Sequence, residues 1–461
     1  MSDLINGSIR GGMIRFAVPM IFGNILQQIY TASAAIIVGQ YLGEKSFAAL
    51  GVGGAVTNFI AFIIIGMCMG ATVVFSELYG SGRLDRFKLA LSTSIIAGIA
   101  FSALLGFAAL GLNTFVFGLI RTPPEIIGEA SRYLSIMSSA LVLTFLNMLF
   151  TSAFYAMGNS RIPLVFLAAS SGANIALTLL FVASLGWGVA GAAWAIVASQ
   201  GISVLLYAAY IYFRVPELRL LHGEWGFDTA LLRRIAEYGG FTAMQQACVN
   251  LGRVLVQGAV NPLGVGAIAA FNAAAQIDAF LLTPCDSFSS ATTAFVAQNR
   301  GAGRFRRVRE AFSVSIKIGL SYSLLGGFVV FLMPTTLIRL CIDTPDPKIL
   351  ADGGAYLRFM AFFYSLATAD ACIQGFFRGF GMIKTTFLAS FTQILVRVVT
   401  AWLVTPYLGV SGVAVGSGLG WGVMLALLLG IYFRHVRPNV MALCGNEAKA
   451  GDDSPAPRAS S

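Results

Sequence analysis

The stretch Ser76-Glu77-Leu78-Tyr79-Gly80-Ser81-Gly82-Arg83 returns later in the chain as Ala297-Gln298-Asn299-Arg300-Gly301-Ala302-Gly303-Arg304, an offset of 221 residues. At the same offset, Leu42-Gly43 returns as Leu263-Gly264, and Gly188-Val189-Ala190-Gly191 returns as Gly409-Val410-Ser411-Gly412. Tyr133-Leu134 returns as Tyr356-Leu357, at an offset of 223. Because the spacing is kept through almost a whole half-chain, the sequence is a tandem duplication.

Composition places both copies in a membrane. The 461 residues are 57% hydrophobic and only 11% charged, which a soluble protein of this size would not be. A chain in lipid must satisfy its own backbone hydrogen bonds, so the apolar segments are predicted to be α-helices. The first apolar run, residues 16–38, is long enough to span, and we therefore expect no cleavable signal peptide. A duplicated helical bundle is the architecture of secondary transporters.

Charge and cysteine usage exclude other classes. The formal net charge of +10 is explained by cations in loops on one side of the membrane, and no nucleic-acid partner is expected. The six cysteines are scattered and only two histidines occur, so neither a disulfide framework nor a metal site is predicted. The sequence contains no phosphate-binding P-loop and no enzyme constellation, and we predict neither an ATP-driven pump nor an enzyme.

Twelve spans and their orientation follow from the apolar runs and the basic residues. With the N-terminus inside, 22 Lys and Arg fall on the cytoplasmic side, 6 on the outside and 2 within spans, which predicts cytoplasmic termini. The predicted spans are residues 16–38, 46–75, 89–111, 133–157, 164–185, 189–213, 237–260, 265–297, 312–333, 354–377, 385–406 and 410–433.

The predicted fold is therefore an all-α integral membrane protein, with twelve transmembrane helices in two six-helix lobes related by a parallel internal repeat. The predicted domains are an N-lobe at 1–213, a cytoplasmic linker at 214–236, a C-lobe at 237–437 and a disordered cytoplasmic tail at 438–461. We expect a monomeric, multi-pass protein of the inner (plasma) membrane.

Over about residues 5–437 the chain resembles the multidrug and toxic compound extrusion (MATE) transporters. The resemblance rests on the paired loops at Gly80 and Gly301 and on the run Gln276-Ile277-Asp278-Ala279-Phe280, followed by Pro284 and Phe295-Val296-Ala297-Gln298-Asn299. The segment Ala156-Met157-Gly158-Asn159-Ser160-Arg161 adds to it. It implies two six-helix lobes, a central cavity, and export of organic cations driven by proton or sodium entry, with no bound cofactor.

One departure from that family concerns its coupling site. Many bacterial relatives carry an aspartate in helix one, and here its place is taken by Ala34. The predicted N-lobe spans hold no acid at depth. Neutral polar residues remain there, of which Gln28 and Asn174 are candidates for substrate binding or, alternatively, for interhelical hydrogen bonds.

The C-lobe spans do carry charge, namely Asp278, Asp286 and Asp370 with Arg253 and Arg397. Each would cost about 2.5–3.5 kcal/mol at the bilayer centre, so partners or water are expected. With three carboxylates and two arginines, one carboxylate is left in excess. Such a group can take up a proton or a cation, and we place the coupling site in the C-lobe, with Asp278 preferred because it also matches the family's helix-eight motif.

Uncharged side chains complete the candidate site. Helical spacing places Asn250 and Arg253 on one stripe of span seven, and Asp370 and Gln374 one turn apart on span ten. Gln276 shares a face of span eight with Asp286. The alternative interpretation is structural: the two arginines neutralise two of the aspartates and lock the bundle.

The sequence leaves three candidate functions. The first is a cation-coupled exporter of drugs or metabolites, with a small organic cation as substrate. The second is a lipid-linked oligosaccharide flippase, which would need a wide cationic groove, whereas the candidates here are mixed and net acidic. The third is a non-transporting membrane receptor. The basic residues Arg304, Arg306, Arg307 and Arg309 are candidates for anionic lipid headgroups, although topology alone explains them.

Overall fold

The computed structural model describes residues 4–120, 122–342 and 346–452. Within these residues the regular structure is entirely helical and contains no strand. In the first half the helices are α1 (Ile9–Gly80), α2 (Leu84–Gly111), α3 (Asn113–Leu119), α4 (Pro124–Ser139), α5 (Leu141–Ala156), α6 (Arg161–Thr178) and α7 (Gly188–Arg214). In the second half they are α8 (Thr229–Val260), α9 (Val265–Gly301), α10 (Phe305–Leu332), α11 (Pro334–Cys341), α12 (Pro347–Gly379), α13 (Ile383–Leu408), α14 (Ser411–Ile431) and α15 (Arg437–Asp452).

The helices account for the twelve predicted spans. In the described residues, nine helical segments are long and apolar enough to cross a membrane, and the bent pair Pro124–Ser139 and Leu141–Ala156 makes ten. The other two spans are α8 and α12, which carry Arg253 and Asp370 and are less apolar. The two helices that are not apolar enough by this measure thus both carry charged candidate residues.

Two glycines mark the duplication in the backbone. α1 consists of two helices joined at Gly43, where φ is 80° and ψ is −172°. Gly264 has nearly the same conformation, with φ 94° and ψ 172°, between α8 and α9. Only glycine adopts such angles without strain, so the repeated Leu-Gly pair encodes the same turn in each copy.

The chain divides into two compact units. The first unit comprises residues 18–79 and 83–247, and the second comprises, among the described residues, 4–17, 80–82 and 248–452. These bounds differ from the sequence-based domains at the start of each lobe. Residues 4–17, predicted in the N-lobe, lie in the second unit, and residues 237–247, predicted in the C-lobe, lie in the first. The helix α15 covers the beginning of the tail predicted to be disordered, and residues 453–461 lie outside the described residues.

Each unit has its own apolar core. In the first unit, the fully buried Phe154 and the ring of Phe166 pack on Tyr207, with centroids 5.6 and 4.8 Å away. In the second unit, the Phe271 ring meets Tyr356 edge-on at 5.8 Å. Aromatic pairs in these geometries add to the burial of apolar area. They fix α5 and α6 against α7 in the first unit, and α9 against α12 in the second.

Candidate functional site

The helices α9 and α12 are joined by a ladder of polar contacts. Its regular spacing keeps the two helices side by side and in register over two turns. The rungs are Cys285 Sγ with Thr368 Oγ1 at 3.0 Å, Ser289 Oγ to the Ala371 carbonyl at 2.5 Å, and Thr293 Oγ1 to the Gly375 carbonyl at 3.1 Å. Residue numbers rise together along both helices, so the helices run parallel.

Two turns before the first rung, Asp278 lies buried between two tyrosines of α12. The Tyr356 hydroxyl donates to Asp278 Oδ2 at 2.7 Å, and the Tyr364 hydroxyl donates to Oδ1 at 2.5 Å. Asp278 is 9% exposed, and the two tyrosines are 1% and 2% exposed. Each carboxylate oxygen therefore has its own donor, in the manner required of a charged group buried in a protein.

Arg397 of α13 acts on this carboxylate through its charge. The guanidinium is half-buried, and its Nε has no hydrogen-bond partner among the described residues. No direct ion pair joins Arg397 to Asp278 in the part of the chain that the structure describes. The arginine thus supplies a positive potential near Asp278 and leaves both carboxylate oxygens to the tyrosines.

Asp370 is in a contrasting environment on the same helix α12. Its side chain is 1% exposed, and neither carboxylate oxygen has a hydrogen-bond partner among the described residues. Its neighbour Gln374 accepts a bond from the Ser390 hydroxyl at 3.1 Å and is directed to the sulfur of Met424. A buried carboxylate without donors would be satisfied by a bound proton or cation.

Asp286 is the exposed member of the three acids. Arg378 and Arg253 both act on it through their charges. Arg378 is also anchored by a 2.7 Å hydrogen bond from its Nη2 to Ser289 Oγ. Two arginines act on Asp286 and one acts on Asp278, whereas no cation among the described residues acts on Asp370, so Asp370 is the acid left without a cationic partner.

The remaining sequence candidates are amide side chains, two in each unit. Asn250 is half-buried on α8, while Gln276 on α9 and Gln28 on α1 are exposed. Asn174 is fully buried on α6, and neither atom of its amide has a partner among the described residues. The described residues contain no group of three His, Cys, Asp or Glu side chains that would hold a metal ion.

Sequence reasoning missed three contributors. Tyr356 was noted only as part of a repeated dipeptide, and Tyr364 was not singled out. The two tyrosines are eight residues apart and so lie on one face of α12, which is the signal that would have indicated them. Arg378 directly follows the predicted span 354–377 and is one of the 22 basic residues predicted on the cytoplasmic side, but its charge reaches Asp286.

Comparison with known proteins agrees with the duplication. The family model described as MatE matches the chain twice, at residues 19–180 and 242–403. The two matches are of equal length and begin 223 residues apart, so the family model covers most of each half.

Curated relatives and solved structures are similar along the whole chain. The probable multidrug resistance protein YpnP of Bacillus subtilis is 24% identical over 448 residues, covering 96% of this chain and 98% of that protein. The probable multidrug resistance protein NorM of Thermotoga maritima is 24% identical, with 88% and 89% covered. The structure of a MOP superfamily transporter from Pyrococcus furiosus superposes with a TM-score of 0.87 at 20% identity, covering 96% of this chain and 98% of that one. That likeness shows the fold, namely two lobes of six membrane helices, and with the two matches to the family model the chain belongs to the MatE family, the multidrug and toxic compound extrusion (MATE) transporters.

Proposed function

We propose that this protein is a secondary active exporter of organic cations, coupled to the inward movement of protons or sodium ions through Asp278. Transport proceeds by alternating access of the two lobes. The ion gradient is the only driving force in this proposal, which includes neither a bound cofactor nor an enzymatic step. The protein works as a monomer in the inner (plasma) membrane, with both termini in the cytoplasm.

The observation that carries the proposal is the buried carboxylate of Asp278 between two tyrosine hydroxyls. A hydroxyl both donates and accepts hydrogen bonds, so the same pair can satisfy an ionised carboxylate and a protonated carboxyl. A site that accommodates both forms can bind and release a coupling ion without leaving an unsatisfied group in the membrane. Coupling further requires that ion binding favours one lobe arrangement over the other.

The ladder of α9 and α12 supports this role physically. Asp278 lies on α9 and its two donors on α12, so a small change in the register of these helices would break both hydrogen bonds together. Loss of a coupling ion and rearrangement of the lobe are thereby linked. Asp370 lies on α12, has no hydrogen-bond donor among the described residues, and is the second candidate for an ion.

The choice of substrate rests on the relatives and on an exposed polar surface. The relatives YpnP and NorM are named as probable multidrug resistance proteins. In the second unit, exposed Gln276 offers an amide acceptor at membrane depth, where polar groups face water in preference to lipid. An amide oxygen at such a surface suits a cationic drug.

The test is uptake of ethidium into inside-out vesicles under an imposed proton gradient and then an imposed sodium gradient. Wild type is compared with Asp278→Asn, Asp370→Asn and a matched control, Glu310→Gln. Glu310 is a carboxylate whose side chain is 43% exposed and pairs with Arg306 at 3.3 Å in an i,i+4 contact. Glu310→Gln removes one negative charge, as Asp278→Asn does, but outside the candidate site.

We expect one gradient to drive uptake by wild type and by Glu310→Gln, with uptake reduced to background in Asp278→Asn. Full activity of Asp278→Asn together with inactive Asp370→Asn would move the coupling site to Asp370. A wild type that moves no ethidium under either gradient would contradict drug export and would leave the flippase and receptor functions to be tested.

A further inference from the structure

The two halves of the chain exchange their leading segments. Residues 4–17, the N-terminal strap, belong to the second unit although the chain continues through α1 into the first. Residues 214–247, the linker strap, belong to the first unit although the chain continues through α8 into the second. Each half therefore begins inside the unit formed by the other.

The N-terminal strap is held by side chains that donate to its backbone carbonyls. Asn299 Nδ2 and Arg307 Nη2 reach the Leu4 carbonyl oxygen at 3.0 and 3.2 Å, and the same Arg307 nitrogen reaches that of Gly7 at 2.6 Å. Arg304 donates to the carbonyl that follows Leu4, at 2.9 Å. Asn299 is fully buried and Leu4 is 2% exposed, so this is an interior contact.

The linker strap is held by ion pairs. Arg86 Nη1 lies 3.0 Å from Asp228 Oδ2, and Lys88 Nζ lies 2.6 Å from Glu224 Oε1. All four residues lie in the first unit. The Lys88 pair is the more buried, with side chains 17% and 34% exposed, and is less screened by salt than the Arg86 pair.

The helical part of the linker strap, the beginning of α8, packs directly on α1. A Cβ atom added at Gly66 would lie 2.5 Å from the Ala243 Cα, and one added at Gly239 would lie 2.7 Å from the Met67 Cα. Such approach of two helix backbones is possible only because glycine has no side chain. This half of α8 is thus an integral part of the first unit.

The repeat places the two straps in equivalent positions. Arg86 and Arg307 are 221 residues apart, and so are Gly7 and Asp228. The same arginine of each copy therefore holds the same point of the opposite strap, through a backbone carbonyl in one case and a carboxylate in the other. A feature present in both copies is a property of the repeated fold.

We propose that both straps remain docked throughout the transport cycle and act as tethers, each moving with the unit that holds it and limiting how far the cytoplasmic ends of the lobes separate. The alternating access that this tether limits is the motion of the proposed function. The tether itself is a property of the strap contacts and can be tested without transport. Undocking the N-terminal strap would break the hydrogen bonds that Asn299 and Arg307 donate to its carbonyls and would expose the buried Leu4 side chain, which favours a strap that stays in place.

The first measurement is hydrogen–deuterium exchange of the protein in nanodiscs, at about pH 5 and about pH 7 and with or without sodium and ethidium. We expect the protection factors of both straps in wild type, which correct for the pH dependence of intrinsic amide exchange, to stay within about twofold across these conditions. Arg307→Met is expected to raise exchange in residues 4–17 at least tenfold and to leave the linker strap unchanged. The control Arg306→Ala, which removes an exposed side chain of the same helix turn, is expected to alter neither strap. Exposure of a wild-type strap in any of the conditions would overturn the proposal.

The second measurement is the spin-label distance between positions 161 and 384, in a background without the six native cysteines. Arg307→Met is expected to add distances longer than any populated by wild type, whereas Arg306→Ala is expected to reproduce the wild-type distribution. Should Arg307→Met fail to fold, Arg307→Lys keeps the charge, loses the forked donor geometry, and is expected to give an intermediate result. A variant that frees the strap by exchange and keeps the wild-type distances would show that the strap is not a tether.

Discussion

Removing the two tyrosine hydroxyls from Asp278 is the sharpest test of the candidate coupling site. Tyr356→Phe and Tyr364→Phe each delete one donor, at 2.7 and 2.5 Å, and preserve the ring that packs in the core. Tyr322 provides the matched control, since its hydroxyl donates to the Leu281 carbonyl at 3.2 Å and does not reach Asp278.

The expected magnitude follows from the charge on the acceptor. A hydrogen bond to a charged group contributes about 1.5–3 kcal/mol, whereas one to a neutral carbonyl contributes about 0.5–1.5 kcal/mol. At 1.4 kcal/mol for each factor of ten, loss of one tyrosine donor changes coupling-ion binding by roughly tenfold to a hundredfold. Tyr322→Phe is expected to stay below about tenfold.

The assay is gradient-driven ethidium uptake as a function of coupling-ion concentration, at equal protein content in the vesicles. We expect the half-saturating ion concentration to shift at least tenfold in Tyr356→Phe and in Tyr364→Phe, with slower uptake at a fixed gradient. Thermal unfolding of the purified variants reports whether a slower rate reflects lost structure.

A combined variant separates the site from the scaffold. If both hydroxyls act through the carboxylate, then Tyr364→Phe added to Asp278→Asn should cost less than it costs in wild type. Equal costs in both backgrounds, or single variants indistinguishable from Tyr322→Phe, would refute the assignment of Asp278 and its tyrosines as one unit.

Three further outcomes are expected. Asn174→Leu should be neutral or stabilising in thermal unfolding, because it removes two buried amide atoms that have no partner among the described residues; a loss above about 2 kcal/mol would reveal a bound group there. Gly66→Val should destabilise the first unit by at least about 1–3 kcal/mol in denaturant titration through overlap with the Ala243 backbone, whereas Gly54→Ala, with open space around it, should have little effect. The pKa of Glu224 is lowered by hydrogen bonds from the Leu221 amide and from Lys88, so its ionised form stabilises the linker strap above the ordinary carboxyl range near pH 4.3; exchange of that strap should rise only as the pH falls below about 4, and a rise already between pH 7 and 5 would contradict this.

The sequence predicts much of this fold for a physical reason. Long apolar segments leave the chain no alternative to helices in lipid, and the repeated loops at Gly80 and Gly301 mark the two copies; the double match to the family model confirms them. The placement of charge in the C-lobe could also be read directly, because Asp278 and Asp370 lie within apolar runs.

The partners of those charges could not be predicted. Helical spacing tells which residues share a face of one helix, but it does not tell which helix that face meets. The spacing therefore did not reveal the tyrosine pair of α12 as the partner of Asp278. It also did not reveal that Arg378 acts on Asp286 through its charge. The straps escaped prediction for a related reason: composition identifies residues 214–236 as a polar connection whichever unit receives them.

The exchanged straps have a consequence for biogenesis. Leu4 leaves the ribosome before its partner Asn299, which follows 295 residues later. At synthesis rates of about 5–20 residues per second, the N-terminal strap waits roughly 15–60 s for its binding site. During that time the apolar side chain that it later buries is exposed at the membrane surface. While only the first half has been made, the N-terminal strap is therefore accessible to chaperones and proteases. Prompt insertion of the second half ends this exposure.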